Sequence, residues 1–200
     1  MFYQPNRGHG LPHDPFKAIV APRPIGWIST RSKDGSVNLA PYSFFNAIST
    51  HPHLLFFSSE GEKDSVTFAR ETGDFVCNLV SADLFEQMNK SSVDAPRGTS
   101  EFDYAGLTPT PSKLVRAPRV AEAHAALECR VTDIQQPRGL EGRASGVFLV
   151  FGEVVGVHID EAIMTDGLVD AVKAASMSRL GYMDYARVTE TFSARRPRWE

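Results

Sequence analysis

Two hundred residues, 42% hydrophobic and 22% charged, suit one ordinary globular domain with a sizeable core. A formal net charge of −3 gives no reason to expect nucleic-acid binding, and Arg195-Arg196-Pro197-Arg198 is a short, solvated terminal run. No apolar run reaches the ~18 residues that cross a bilayer, and the first fifteen residues carry no apolar signal core, so no membrane insertion is expected and a cytoplasmic location follows by default.

Residues 1–17 read as an irregular arm on a single domain spanning 1–200; His9 and His13 have no companion ligands there. Residues 25–30 have strand character, and Lys33-Asp34-Gly35-Ser36 is a strong hairpin turn. Residues 37–48 are expected to return antiparallel, with Pro41 at a bulge or an edge. His51-Pro52-His53 reads as a turn entering a buried strand at 54–59. A helix follows at 63–70, with Asp64 or Ser65 as its N-cap.

A strand at 75–80 and a second short helix at 82–90 come next. Residues 91–119 are polar and proline-bearing, and predict a long excursion with little regular structure. β-rich patterning returns at 127–134 and 147–159, the second long enough to bend at Gly152 or Gly156. Residues 168–176 predict a helical turn, residues 179–185 a Gly- and Tyr-containing loop, and residues 186–200 a tail. Cys77 and Cys129 sit in apolar segments and read as buried free thiols. The sum is a mainly β (α+β) protein: a closed or split β-barrel with a few peripheral helices.

The usual catalytic signatures are missing. There is no G-x-S-x-G, no H-E-x-x-H, no C-x-x-C, no Walker motif, and no G-x-G-x-x-G after a strand. Nothing here selects a catalytic residue, although a Ser–His–acid set could still assemble in space, and no metal is expected. What stands out is the 23–46 hairpin, which sets Trp27, Phe44 and Phe45 among Ser29, Thr30, Ser43 and Asn46. A flat heteroaromatic ring needs an apolar wall and hydrogen-bond donors at its edge. A bulge at 42–46 would free backbone N–H groups for that edge. Ser29, Thr30, Ser58, Lys63 and Ser65 supply hydroxyls, a cation and a helix start for a phosphate tail. Asp64 beside them suits capping or orienting Lys63 better than touching an anion.

These residues resemble the flavin reductase-like, FMN-binding split-barrel family, and its flavoredoxin branch in particular. The resemblance rests on Arg23-Pro-Ile-Gly-Trp-Ile-Ser-Thr30, Asn38-Leu-Ala-Pro-Tyr-Ser-Phe-Phe-Asn46 and Pro52-His-Leu-Leu-Phe-Phe-Ser58. Lys63-Asp-Ser65, Phe75-Val-Cys-Asn78, Phe151-Gly-Glu-Val154 and Arg179-Leu-Gly181 extend it in order over about residues 15–185. It implies a Greek-key split barrel, a homodimer, and FMN with its ring on the Trp27 strand and the 43–46 segment. It also implies a phosphate held by Ser29, Thr30, Ser58, Lys63, Asp64 and Ser65, with Arg179 and Tyr182 near the ring or the partner subunit. His124 and His158 are candidates for the nicotinamide side. The implied activity is NAD(P)H-dependent flavin reduction, with NADH or NADPH as donor and a monooxygenase or other protein as electron acceptor. The alternative is a flavoredoxin-like carrier with tightly bound FMN that does not use NAD(P)H directly.

Overall fold

In a computed structural model describing residues 1–96 and 99–199, the chain curls one antiparallel sheet into a split barrel. Its strands are β1 Gly26–Arg31, β2 Val37–Tyr42, β3 Phe45–Thr50, β4 His53–Glu60, β5 Asp74–Asn78, β6 Ala125–Gln135 and β7 Val147–Ile159. Their order in space is β2-β1-β5-β6-β7-β4-β3. The two edge strands are therefore neighbours in sequence, joined only by Ser43 and Phe44. A two-residue link forces the edges together. Ser58 N–H donates to Phe44 C=O at 2.8 Å and fastens that corner to β4.

This corner corrects the expected continuous strand at 37–48. β1 and β2 do form the hairpin, Gly26 facing Tyr42 and Arg31 facing Val37. Pro41 has no N–H to extend a ladder, so β2 is an edge. The chain then leaves for the opposite edge. The expected bulge at 42–46 is absent; the irregularity lies between Ala47 and Ser49, where β3 pairs with β4. The bends expected in β7 are real: the ladder to β6 shifts register at Phe151/Gly152 and at Val154/Gly156. A Cβ on Gly152 would meet the Phe75 ring at 2.6 Å, so the strand turns where only glycine fits against that ring.

Helix α1, Asp64–Thr72, follows β4 and ends on Gly73 in the left-handed region, φ 76°. Its N-cap is Lys63, not Asp64 or Ser65, both of which lie in the first turn. Helices α2, Phe85–Lys90, and α3, Glu101–Ala105, lie between β5 and β6. The 91–119 region is thus more ordered than expected. It contains α3 and a short ladder of Pro109–Thr110 with Arg119–Val120.

Alternation along β1 divides the core in two. Ile28 faces an inner cluster with Phe57, Phe75, Val66 and Val150, under α1. Trp27 faces an outer cluster with Leu39, Met88, Phe102 and Val120, under α2 and α3. Cys77 and Cys129 lie in the inner cluster as free thiols. Burial pushes Cys77 up to about 12, which removes it as a nucleophile.

Buried polar groups on the outer face bind the excursion to the sheet. Asp74 accepts from the N–H groups of Arg116 and Ala117, each at 3.0 Å. Glu128, fully buried, accepts from Lys113 N–H at 2.7 Å and Leu114 N–H at 2.6 Å, and meets His158 Nε2 at 2.5 Å. Asn78 Oδ1 accepts from Val120 N–H at 2.9 Å. These bonds satisfy loop amides that the barrel would otherwise leave buried and unpaired.

A candidate flavin cleft at the split of the barrel

Where the two sheet edges meet, they leave a cleft of about 530 Å³. One wall is β2, with Asn38, Ala40, Pro41 and Tyr42, continuing into Ser43 and Phe44. The facing residues are Ser58 and Ser59 at the end of β4, and Lys63, Asp64 and Ser65 at the start of α1. Ser91 to Ala95 close one side, and Lys17 enters from the N-terminal arm.

Six of the sequence-predicted residues meet here: Ser43, Phe44, Ser58, Lys63, Asp64 and Ser65. The other six do not line the cleft. Trp27 is fully buried behind β1, its Nε1 donating to Ser91 Oγ at 2.9 Å, so it supports the 91–95 wall from behind. Ser29 is buried too; its hydroxyl donates to Pro118 C=O at 2.5 Å and accepts from Asn78 Nδ2 at 3.1 Å. Thr30 reaches the cleft only through Asn38, whose Nδ2 donates to Thr30 Oγ1 at 3.4 Å and to Ser65 Oγ at 2.7 Å.

Phe45 packs over Gly26, where a Cβ would come within 2.5 Å of its ring. Asn46 is exposed, its Oδ1 accepting from Ala47 N–H at 2.8 Å. Arg179 stacks on Tyr185, 4.3 Å from the ring centre, and donates to Tyr182 C=O at 2.7 Å. The reason is strand alternation. Trp27 and Ser29 share a face of β1, and that face points to the outer layer.

Tyr42 and Ser59, the aromatic and hydroxyl neighbours of the predicted set, also line the cleft; the lining residues not singled out beforehand include Lys17, Asn38, Glu101 and the 91–95 segment. Asn38, Ala40 and Tyr42 follow period two along β2, so alternation counted from the turn selects them. Nothing local in the sequence marks Lys17 or Glu101.

Polar groups at the α1 end are held in place. Asn38 fixes Ser65, and burial pushes the Tyr42 phenol up against the opposing influence of the Ser65 and Ser59 hydroxyls and the Lys63 charge. Ser59 Oγ donates to Gly61 C=O at 3.0 Å. The first bonds within α1 run from Val66 and Thr67 N–H to Lys63 C=O, both at 3.0 Å. Earlier N–H groups thus lie outside the helical ladder, at the positive end of the helix dipole.

Charge is unevenly distributed. Lys63 pairs with Asp94 at 2.8 Å, and Glu62 with Arg70 at 2.8 Å. Burial pushes the Glu101 carboxyl up, while Leu39 N–H donates to it at 3.1 Å. His124 sits between Asp83 and Asp160, and His158 on Glu128. Neither histidine lines the cleft. No cluster of three or more potential metal ligands occurs among the described residues.

The fold defines a split-barrel protein of the flavin reductase-like class, and comparison with known proteins agrees. Residues 20–176 match the flavin reductase like domain family, and the chain belongs to it. An uncharacterized protein of Halalkalibacterium halodurans is 38% identical over 183 residues, covering 89% of this chain and 87% of its own. The crystal structure of nitrilotriacetate monooxygenase component B from Bacillus cereus superposes with a TM-score of 0.88 at 29% identity, covering 97% of this chain and 98% of that one. Flavoredoxin of Desulfovibrio vulgaris (Miyazaki F) shares the fold, with a TM-score of 0.76 at 22% identity over 86% of this chain and 90% of that one.

Proposed function

We propose that this chain binds FMN in the cleft, takes hydride from NADH or NADPH, and passes the electrons to a partner protein such as a monooxygenase. The observation that carries the reading is the composition of the cleft. Ala40, Pro41 and Phe44 give an apolar wall, and Ser58, Ser65, Lys63 and the start of α1 give an anion-seeking end. A volume of about 530 Å³ falls in the range of small-molecule sites, roughly 300–1,000 Å³. The donor set therefore fits an aromatic ring system carrying one phosphate.

Flavin, when bound, supplies the hydride-accepting and electron-carrying chemistry. The chain's own residues bind and orient. Phe44 and Pro41 present flat apolar surface to a ring. The Ser43–Phe44 corner lies between β2 and β3, with the Phe44 carbonyl taken by Ser58 N–H and the corner's own N–H groups outside the two ladders. Ser58, Ser65 and Lys63 hold the phosphate. Asn38 positions Ser65. No side chain need gain or lose a proton for hydride transfer, since positioning supplies the rate. A homodimer belongs to the same proposal, resting on the family resemblance.

Anaerobic mixing of the FMN-loaded protein with NADH, then with NADPH, tests the reaction. Bleaching of the flavin absorption by either nucleotide is the expected result. An unbleached flavin with both would overturn the reductase assignment and favour a carrier reduced by another protein.

A further inference from the structure

Two cations lie beside Phe44 and a third faces one of them, none with a carboxylate partner among the described residues. Lys17 Nζ lies 5.8 Å from the Phe44 ring centre and Arg23 Cζ lies 5.7 Å from it. Arg179 faces Arg23 directly in the antiparallel pair of Arg23–Pro24 with Met177–Arg179. Like charges directly opposite in a ladder are destabilising. Arg23 is only 6% exposed, and its Nε has no hydrogen-bond partner. Its remaining nitrogens donate to carbonyls of Lys17, Val20 and Leu180. Burial and then the Arg179 charge pull its pKa down. A buried cation compensated only by carbonyl dipoles is costly unless an anion approaches.

The cluster also fixes where Lys17 stands. Arg23 clamps the helical turn Phe16–Ile19 through its carbonyls, and Ala18 packs where a Cβ on Gly181 would go. Lys17 is exposed and lines the cleft. Lys63, the other lysine of the lining, is already engaged by Asp94.

We propose that Lys17, positioned by Arg23, is a second anion site of the cleft, receiving the pyrophosphate of the nicotinamide dinucleotide. The assignment rests on the reading of the cleft as a flavin site. With the flavin phosphate at Ser58, Ser65 and Lys63, Lys17 is the cation left over beside the apolar wall. Its ligand chemistry is a phosphate oxyanion, which either the dinucleotide or the flavin could bring.

The test uses ADP-ribose, which carries the pyrophosphate and cannot be oxidised as a hydride donor. It is titrated calorimetrically into the full-length protein, with and without FMN, for wild type and Lys17→Gln. FMN and riboflavin affinities are read in parallel by flavin fluorescence. The expected result is a roughly tenfold or greater loss of ADP-ribose affinity in Lys17→Gln, with FMN and riboflavin unchanged. An unchanged ADP-ribose affinity would overturn the site, as would a loss of FMN binding that spares riboflavin, which would place the flavin phosphate on Lys17. Wild-type protein that binds FMN and not ADP-ribose overturns this site alone. Protein that binds ADP-ribose through Lys17 but no FMN overturns the flavin reading alone.

Discussion

The Lys63 ammonium, at the α1 end of the cleft, is 2.8 Å from the Asp94 carboxylate. Each holds the other charged: the Asp94 hydrogen bond raises Lys63, and the Lys63 hydrogen bond lowers Asp94. A phosphate reaching Lys63 must share it with Asp94 or displace it. Both side chains are largely exposed, at 54% and 90%, so the pair is weak and displaceable. Asp94→Asn is therefore expected to tighten FMN binding by up to about fivefold and to leave riboflavin unchanged. Fluorescence titration of both flavins measures this, and equal changes for the two would contradict it.

Lys63→Ala is expected to act in the opposite direction. It removes the proposed charged phosphate contact, and FMN affinity should fall roughly tenfold while riboflavin holds. Combined with Asp94→Asn, the two effects should not add, because the residues share one contact. A double-mutant cycle on FMN affinity reads the coupling.

Trp27 looks like a ring-stacking residue and is instead a fully buried strut on Ser91. Trp27→Phe is expected to cost about 1–3 kcal/mol of stability, from a lost hydrogen bond and lost volume. FMN affinity should change only slightly, through the 91–95 wall. Denaturant melts and flavin titration on the same preparation separate the two, and a large affinity loss at wild-type stability would restore Trp27 to the site.

Glu128 gives a pH prediction. Burial pushes its carboxyl up, but the amides of Lys113 and Leu114 and the His158 ring outweigh that, and its pKa lies below the ordinary value. A depressed carboxylate contributes stability that is present above its unfolded pKa and lost as pH falls through the folded one. Glu128→Gln should thus destabilise the protein at neutral pH by about 1–3 kcal/mol. The gap to wild type should narrow as pH drops below the usual carboxylate range. A gap that holds constant with pH would contradict the charge-based account.

Much of the fold can be read from local pattern. The Lys33–Ser36 turn, the buried run of β4, the helix after it, and the long β7 with its glycine bends all follow from nearby residues. The exit of β3 to the far edge of the sheet does not. Nothing between Tyr42 and Phe45 distinguishes a bulge from a barrel corner, because the difference lies in which distant strand accepts the chain. The α1 end of the candidate cleft is local as well: Ser58, Lys63 and Ser65 lie close in sequence as in space. Trp27 and Ser29 lie away from the cleft; β1 has occupied layers on both faces, so residue chemistry does not say which face is the cleft. Lys17 carries no local signal, since its place depends on Arg23 bonding back across the arm.

The central claim is an FMN site, and one equilibrium titration tests it most directly. FMN and riboflavin are titrated separately into flavin-stripped protein, followed by quenching of flavin fluorescence. Saturable binding of both is expected, with FMN tighter than riboflavin by the roughly tenfold or more that a charged phosphate contact provides. Absence of saturable FMN binding, or equal affinities for the two flavins, would contradict it.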